Sequence, residues 1–190
     1  MGDMTLAKRL GTTAHLSPLL MKARRFGIGM PGDLERLAVR RGLRYYDSHG
    51  DSMRSRQTAG DAPGLEALGD FSNEELALAL LSLAAPYSLR RMRMGAAMLA
   101  AEGNCPERIA RLARRERCDL LVRYIAQCGH HVEPDNPFWN TLLDHLQPAA
   151  PPTRPDVLPH PTRFVAMSGL SRRGKGLVSQ WIRPTRMEPV

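Results

Sequence analysis

The chain has 190 residues, enough for one main domain and short for two. Aromatic residues make up only 5%, so aliphatic and Met side chains must fill the core. A formal net charge of +8 points to a polyanion partner, and no uninterrupted apolar run approaches the roughly 20 residues of a membrane helix.

The charge is unevenly distributed. Residues 1–46 carry +6, residues 47–70 carry −3, residues 71–147 are neutral and residues 148–190 carry +5. Basic flanks around a neutral centre are the pattern expected of a chain that grips nucleic acid. Only Lys8, Lys22 and Lys175 are lysines, so the arginine content can also reflect genomic composition alone. The first residues lack an apolar signal-peptide core, since Arg9 interrupts them. Three cysteines are an odd number with no small secreted scaffold around them, which favours a reducing cytoplasm.

Residues 3–10 predict a short basic helix. Ser17-Pro18 starts a second, with Leu19, Leu20, Ala23 and Phe26 on one side and Gly27 as its stop. Asp33 caps a third, with Leu34, Leu37 and Ala38 inward and Arg36, Arg40 and Arg41 outward until Gly42 ends it. Together they predict a basic N-terminal hairpin over residues 17–42. Its arginines suit phosphates and the following Tyr45 and Tyr46 suit stacking on bases. The competing reading is a hairpin that covers the core with its apolar side.

Residues 47–70 have no helical or strand period and predict a mobile linker. Asp47, His49 and Asp51 within it lack any fixed geometry for a metal.

Residues 71–147 predict the core domain. Phe71-Ser72-Asn73-Glu74-Glu75-Leu76 reads as a capping box with a hydrophobic staple. The helix that follows is apolar on most faces, as a buried helix is, and Pro86 ends it. Ser88 starts the next, which runs to Glu102 with Gly103 as its stop. Cys105-Pro106 opens another, broken near Cys118-Asp119 where Asp119 caps a new helix that Gly129 ends. Asn136-Pro137 opens the last, with Phe138, Leu142, Leu143 and Leu146 on one face and Pro148 beyond it. The fold class is therefore all-α: an irregular helical bundle or short helical array of four to five core helices, with the N-terminal hairpin and an extended C-terminal tail.

Residues 148–163 are proline-rich and predict a stiff spacer. The tail beyond it holds Gly169-Leu170-Ser171-Arg172-Arg173-Gly174-Lys175-Gly176 after the apolar run Phe164-Val165-Ala166-Met167. This approaches a phosphate-binding P-loop. Gly176 replaces the required hydroxyl, however, and no α/β domain surrounds it. A basic tail touching phosphate backbone is the better functional reading, with an inert tail as its equal competitor.

No catalytic constellation emerges. Cys118, Cys128, His130 and His131 are the nearest approach to a zinc set, but the cysteines are ten apart and the adjacent histidines diverge. No serine sits in a nucleophile elbow, and a turn before a capped helix accounts for Glu133 and Asp135. Ile109-Ala110-Arg111-Leu112-Ala113 resembles the first helix of a helix-turn-helix, but Arg114 and Arg115 stand where that motif wants a glycine and a small residue. The paired helices over 73–102 and 106–128 recur at a helical-repeat period, with too few repeats for an array.

The expected protein is a non-enzymatic helical accessory that contacts DNA or RNA phosphates inside a larger assembly. No cofactor, metal, membrane or small-molecule substrate is expected. The candidate contacts are Arg24, Arg25, Arg40, Arg41, Arg172, Arg173 and Lys175. The alternative is a protein-interaction adaptor that uses a helical groove or Trp139, where Trp139 serves as an anchor if it faces outward, against the competing and favoured reading that Phe138 and Trp139 both pack in the core.

Overall fold

The computed structural model describes residues 4–13, 15–29, 31–41, 43, 71–148, 158, 160, 164–168 and 178–181. The expected linker with Asp47, His49 and Asp51, the pair Tyr45 and Tyr46, Gly42, most of the proline-rich segment, and the Gly169–Gly176 stretch with Arg172, Arg173 and Lys175 lie outside these residues. The described chain is helical. In order the helices are α1 (Leu6–Leu10), α2 (Pro18–Arg25), α3 (Pro31–Arg40), α4 (Asn73–Leu80), α5 (Leu89–Leu99), α6 (Pro106–Arg115), α7 (Asp119–Val132) and α8 (Pro137–His145).

α4 lies at the centre, and every residue from Glu74 to Leu80 is buried. Its start is built as the sequence predicts. Ser72 Oγ accepts from the Glu75 amide at 3.2 Å, and Glu75 Oε2 accepts from the Ser72 amide at 2.9 Å. Phe71 and Leu76 are both fully buried beside this box. α5 packs against α4 so closely that a Cβ on Gly95 would lie 2.6 Å from Leu81 Cγ. α2, α3 and α6 also pack on α4, and α3 reaches α5.

Pro86 does not end α4. The helix stops at Leu80 because the carbonyls of Leu83 and Ala85 turn to the N-terminal segment. The amides of Ala7 and Leu6 donate to them at 2.9 and 3.0 Å, and Tyr87 donates to the Met4 carbonyl at 3.0 Å. The Arg9 guanidinium lies 4.0 Å above the centre of the Tyr87 ring and secures the same strap.

α6, α7 and α8 form the other half of the core and pack on one another. Cys118, not Asp119, takes the capping position of α7, and it makes no side-chain cap bond. The turn before it holds Arg117 at φ 53°, a left-handed conformation that L side chains seldom adopt. Gly129 does not stop α7, which continues to Val132. That glycine instead makes room for Trp139 of α8: a Cβ there would lie 2.3 Å from Trp139 Cε2. α8 opens on Asn136, whose Oδ1 accepts from the Phe138 amide at 3.1 Å.

Asp33 does not cap α3, which begins two residues earlier at Pro31. Asp33 lies in its first turn and pairs with Arg36. The tail is not wholly a spacer. Leu158 and Phe164 are buried with the core, and the Phe164 ring meets Tyr124 of α7 edge-on at 6.5 Å. After Phe164, strands β1 (Val165–Ser168) and β2 (Val178–Trp181) pair antiparallel, Val165 opposite Trp181, and β2 runs beside α7.

Candidate functional site

A cleft of about 520 Å³ separates α2 from the C-terminal half of α6, with the start of α4 behind it. Pro18, Leu19, Met21, Phe26 and Leu112 line it with apolar surface. Lys22, Arg25 and Arg115 supply three cations, and Glu75 and Glu116 two carboxylates.

Each carboxylate is engaged by the fold. Glu116 is 2% exposed. Its Oε2 accepts from Ser17 Oγ at 2.5 Å, and its Oε1 accepts from the Leu19 amide at 3.0 Å. Ser17 Oγ in turn accepts from the Leu20 amide at 3.1 Å. A carboxylate some 100 residues away in sequence thus caps α2 beside that helix's own serine, where the positive end of the helix dipole favours it. Glu75 closes its capping box and also meets Lys22 Nζ at 2.8 Å through both oxygens. These bonds hold α2 against α4 and α6.

The arginines divide into two kinds. Arg25 and Arg115 are exposed at the cleft, and Arg108 shares the α6 flank of Leu112 and Arg115 by helical spacing. Arg24 is exposed too, but it points to the other side of α2. There it lines a smaller cavity of about 110 Å³ with Leu20, Ile28, Leu34 and Arg91. Arg40 is half-buried.

Arg41 does not face outward as its helical spacing predicts. It is 6% exposed and donates to the Phe71 carbonyl and, at 2.8 Å, to Asn73 Oδ1. Burial pulls its guanidinium below the ordinary arginine value, and the charge of Glu75 opposes that shift. Arg41 finishes the start of α4 and offers no surface to a phosphate.

Trp139 is a second correction. It is 0% exposed and is the largest fully buried side chain among the described residues, its ring against Gly129 and its Nε1 donating to Glu133 Oε2 at 3.1 Å. It is a core residue and cannot serve as an exposed anchor. Asn136 Nδ2 also donates to that Glu133 oxygen, at 2.9 Å, which accounts structurally for the carboxylate.

Arg115 escaped the sequence reading because residues 71–147 sum to zero charge. The signal was local: Arg108, Arg111, Arg114, Arg115 and Arg117 crowd one short helix and its turn. Spacing alone did not separate the one facing the cleft from those facing elsewhere.

Among the described residues, no group of three or more His, Cys, Asp and Glu side chains could hold a metal ion. No described helix is long and apolar enough to cross a membrane. The first turn of α7, where a recognition helix would present its base contacts, offers Asp119 and the exposed Leu120. No protein-family model, curated protein or solved structure matches the chain.

Proposed function

We propose that this protein is a non-enzymatic helical accessory that contacts nucleic-acid phosphates, working inside a larger assembly. In this reading α2 and α3 form a basic hairpin laid on an irregular bundle of four to five core helices. The observation that carries the proposal is the meeting of Arg25 and Arg115 at one cleft from helices 90 positions apart. Two exposed guanidiniums facing one channel suit successive phosphates of a backbone, each through paired N–H groups. Arg24, on the other face of α2, Arg40, Arg172, Arg173 and Lys175 are further candidate phosphate contacts. The protein-adaptor reading loses its aromatic anchor with the burial of Trp139.

The test is binding of the full chain to oligonucleotides across a salt series. Log affinity falls linearly with log salt, and each phosphate contact contributes about −0.9 to the slope on duplex and about −0.7 on single strands. Arg25→Glu with Arg115→Glu weakens binding at least tenfold and flattens that slope by one to two contacts. Unchanged affinity and slope in the double variant would refute the assignment, as would failure of the wild-type chain to bind at low salt.

A further inference from the structure

We infer that the cleft between α2 and α6 seats a base of single-stranded nucleic acid, its phosphates on the two rims. This rests on the phosphate-contact reading and narrows it to one class of polymer. The cleft volume of about 520 Å³ falls in the ~300–1,000 Å³ range of sites that enclose small organic groups. A phosphate track alone needs no such depth. Duplex DNA presents a convex backbone with its bases stacked inside, so it would leave the apolar lining of Leu19, Met21, Phe26 and Leu112 uncovered.

The charges inside the cleft sort an incoming nucleotide. Glu75 and Glu116 contribute negative charge at the wall, already bonded to Lys22, Ser17 and the Leu19 amide. Lys22 offsets the charge of Glu75, so it is the Glu116 carboxylate, held by Ser17 and the Leu19 amide, that repels a phosphate moving inward and does not repel a neutral base. Arg25 and Arg115 are exposed at the opening and attract the phosphate there. Phe26, half-buried at the end of α2, supplies an aromatic face for stacking. A cationic track combined with an aromatic platform is the general design of single-strand binding.

The experiment compares four probes on the full chain at one salt concentration by fluorescence anisotropy. They are a single-stranded 12-mer, its duplex, an abasic strand of the same length, and an acidic Glu/Leu peptide. The single strand binds about tenfold more tightly than the abasic strand, which carries the same phosphates without bases. Phe26→Ala and Phe26→Leu, each checked for retained helicity, abolish that preference. Arg25→Glu weakens all three oligonucleotides together. Equal affinity for single strand, duplex and abasic strand overturns this inference and leaves phosphate contact standing. A preference for bases that survives in both folded Phe26 variants also overturns it. Binding of the peptide with no binding of any oligonucleotide overturns both readings.

Discussion

The two flanks of α6 put neighbouring arginines to different uses. On the flank toward α8, Arg114 donates to the His145 carbonyl at 2.8 Å, and Arg123 from α7 donates to the Leu146 carbonyl at 3.0 Å. Both satisfy carbonyls that the end of α8 leaves over, where the helix dipole favours a cation. On the flank toward α2, Arg115 faces the cleft with Arg25. One residue of sequence separates an arginine that completes the fold from one that faces outward. A count of positive charge therefore measures a partner surface only after the arginines spent on carbonyls and carboxylates are removed. Arg41 belongs with the first kind, and so does the 8%-exposed Arg91, which donates to the Pro86 carbonyl at 3.1 Å and lies 3.6 Å from Glu35.

The packed flank should break most severely. Trp139→Ala removes the ring that fills the space over Gly129, and it leaves Glu133 without one of its donors. A loss of about 3–5 kcal/mol is expected, read as a lower urea midpoint. A loss below about 1 kcal/mol would mean the α7–α8 contact is not the packed side.

The bond that closes the cleft comes next. Glu116→Gln keeps the shape but turns one acceptor oxygen into a donor against Ser17 Oγ and the Leu19 amide. The expected cost is about 1–3 kcal/mol, with faster amide exchange at Leu19 and Leu20 at the start of α2. Unaltered exchange there would separate Glu116 from the docking of α2.

A smaller effect concerns the thiols. Cys105 is exposed, whereas Cys118 and Cys128 are buried. A thiol reagent at pH 8 should therefore label Cys105 in the folded chain and all three in denaturant. Burial raises the Cys128 thiol from its ordinary 9.0 to about 11, against weaker opposing hydrogen bonds from Tyr124 and the backbone, and it pushes Cys118 higher still. The unfolded thiols lose their protons first as pH rises. The contribution of Cys128 to stability is thus complete below about pH 9 and is lost as pH climbs through 11, and that of Cys118 is lost at higher pH still. Stability that does not change over that window would place these thiols in contact with water.

Much of the helix layout was legible in the sequence because helix starts are local chemistry. Ser17-Pro18, the Ser72–Glu75 box, Ser88, Cys105-Pro106 and Asn136-Pro137 each open a helix where the residues say so. Helix ends were less legible because tertiary bonds decide them. Leu83 and Ala85, beyond the end of α4, serve the N-terminal strap with their carbonyls, and Gly129 is retained inside α7 because Trp139 needs its space. The candidate site was legible only in its α2 half. Arg25 carries its charge openly in a basic segment, whereas Arg115 is offset in the sequence by acidic residues of the same segment, of which Glu75 and Glu116 are bonded within the fold. Arg41 and Trp139 could not be placed from spacing, since each is buried by partners that the chain brings from another element.

The most direct test pairs the two neighbours. Arg114→Ala and Arg115→Ala are each measured for urea stability and for affinity toward the single-stranded 12-mer. Opposite signatures are expected. Arg114→Ala costs about 0.5–1 kcal/mol of stability, a modest loss for a solvent-screened bond, and leaves affinity unchanged. Arg115→Ala leaves stability unchanged and lowers affinity several-fold, with a shallower salt slope. If Arg115→Ala binds as the wild type does, or if both variants lose stability alike, the division of α6 into a structural and a binding flank is wrong.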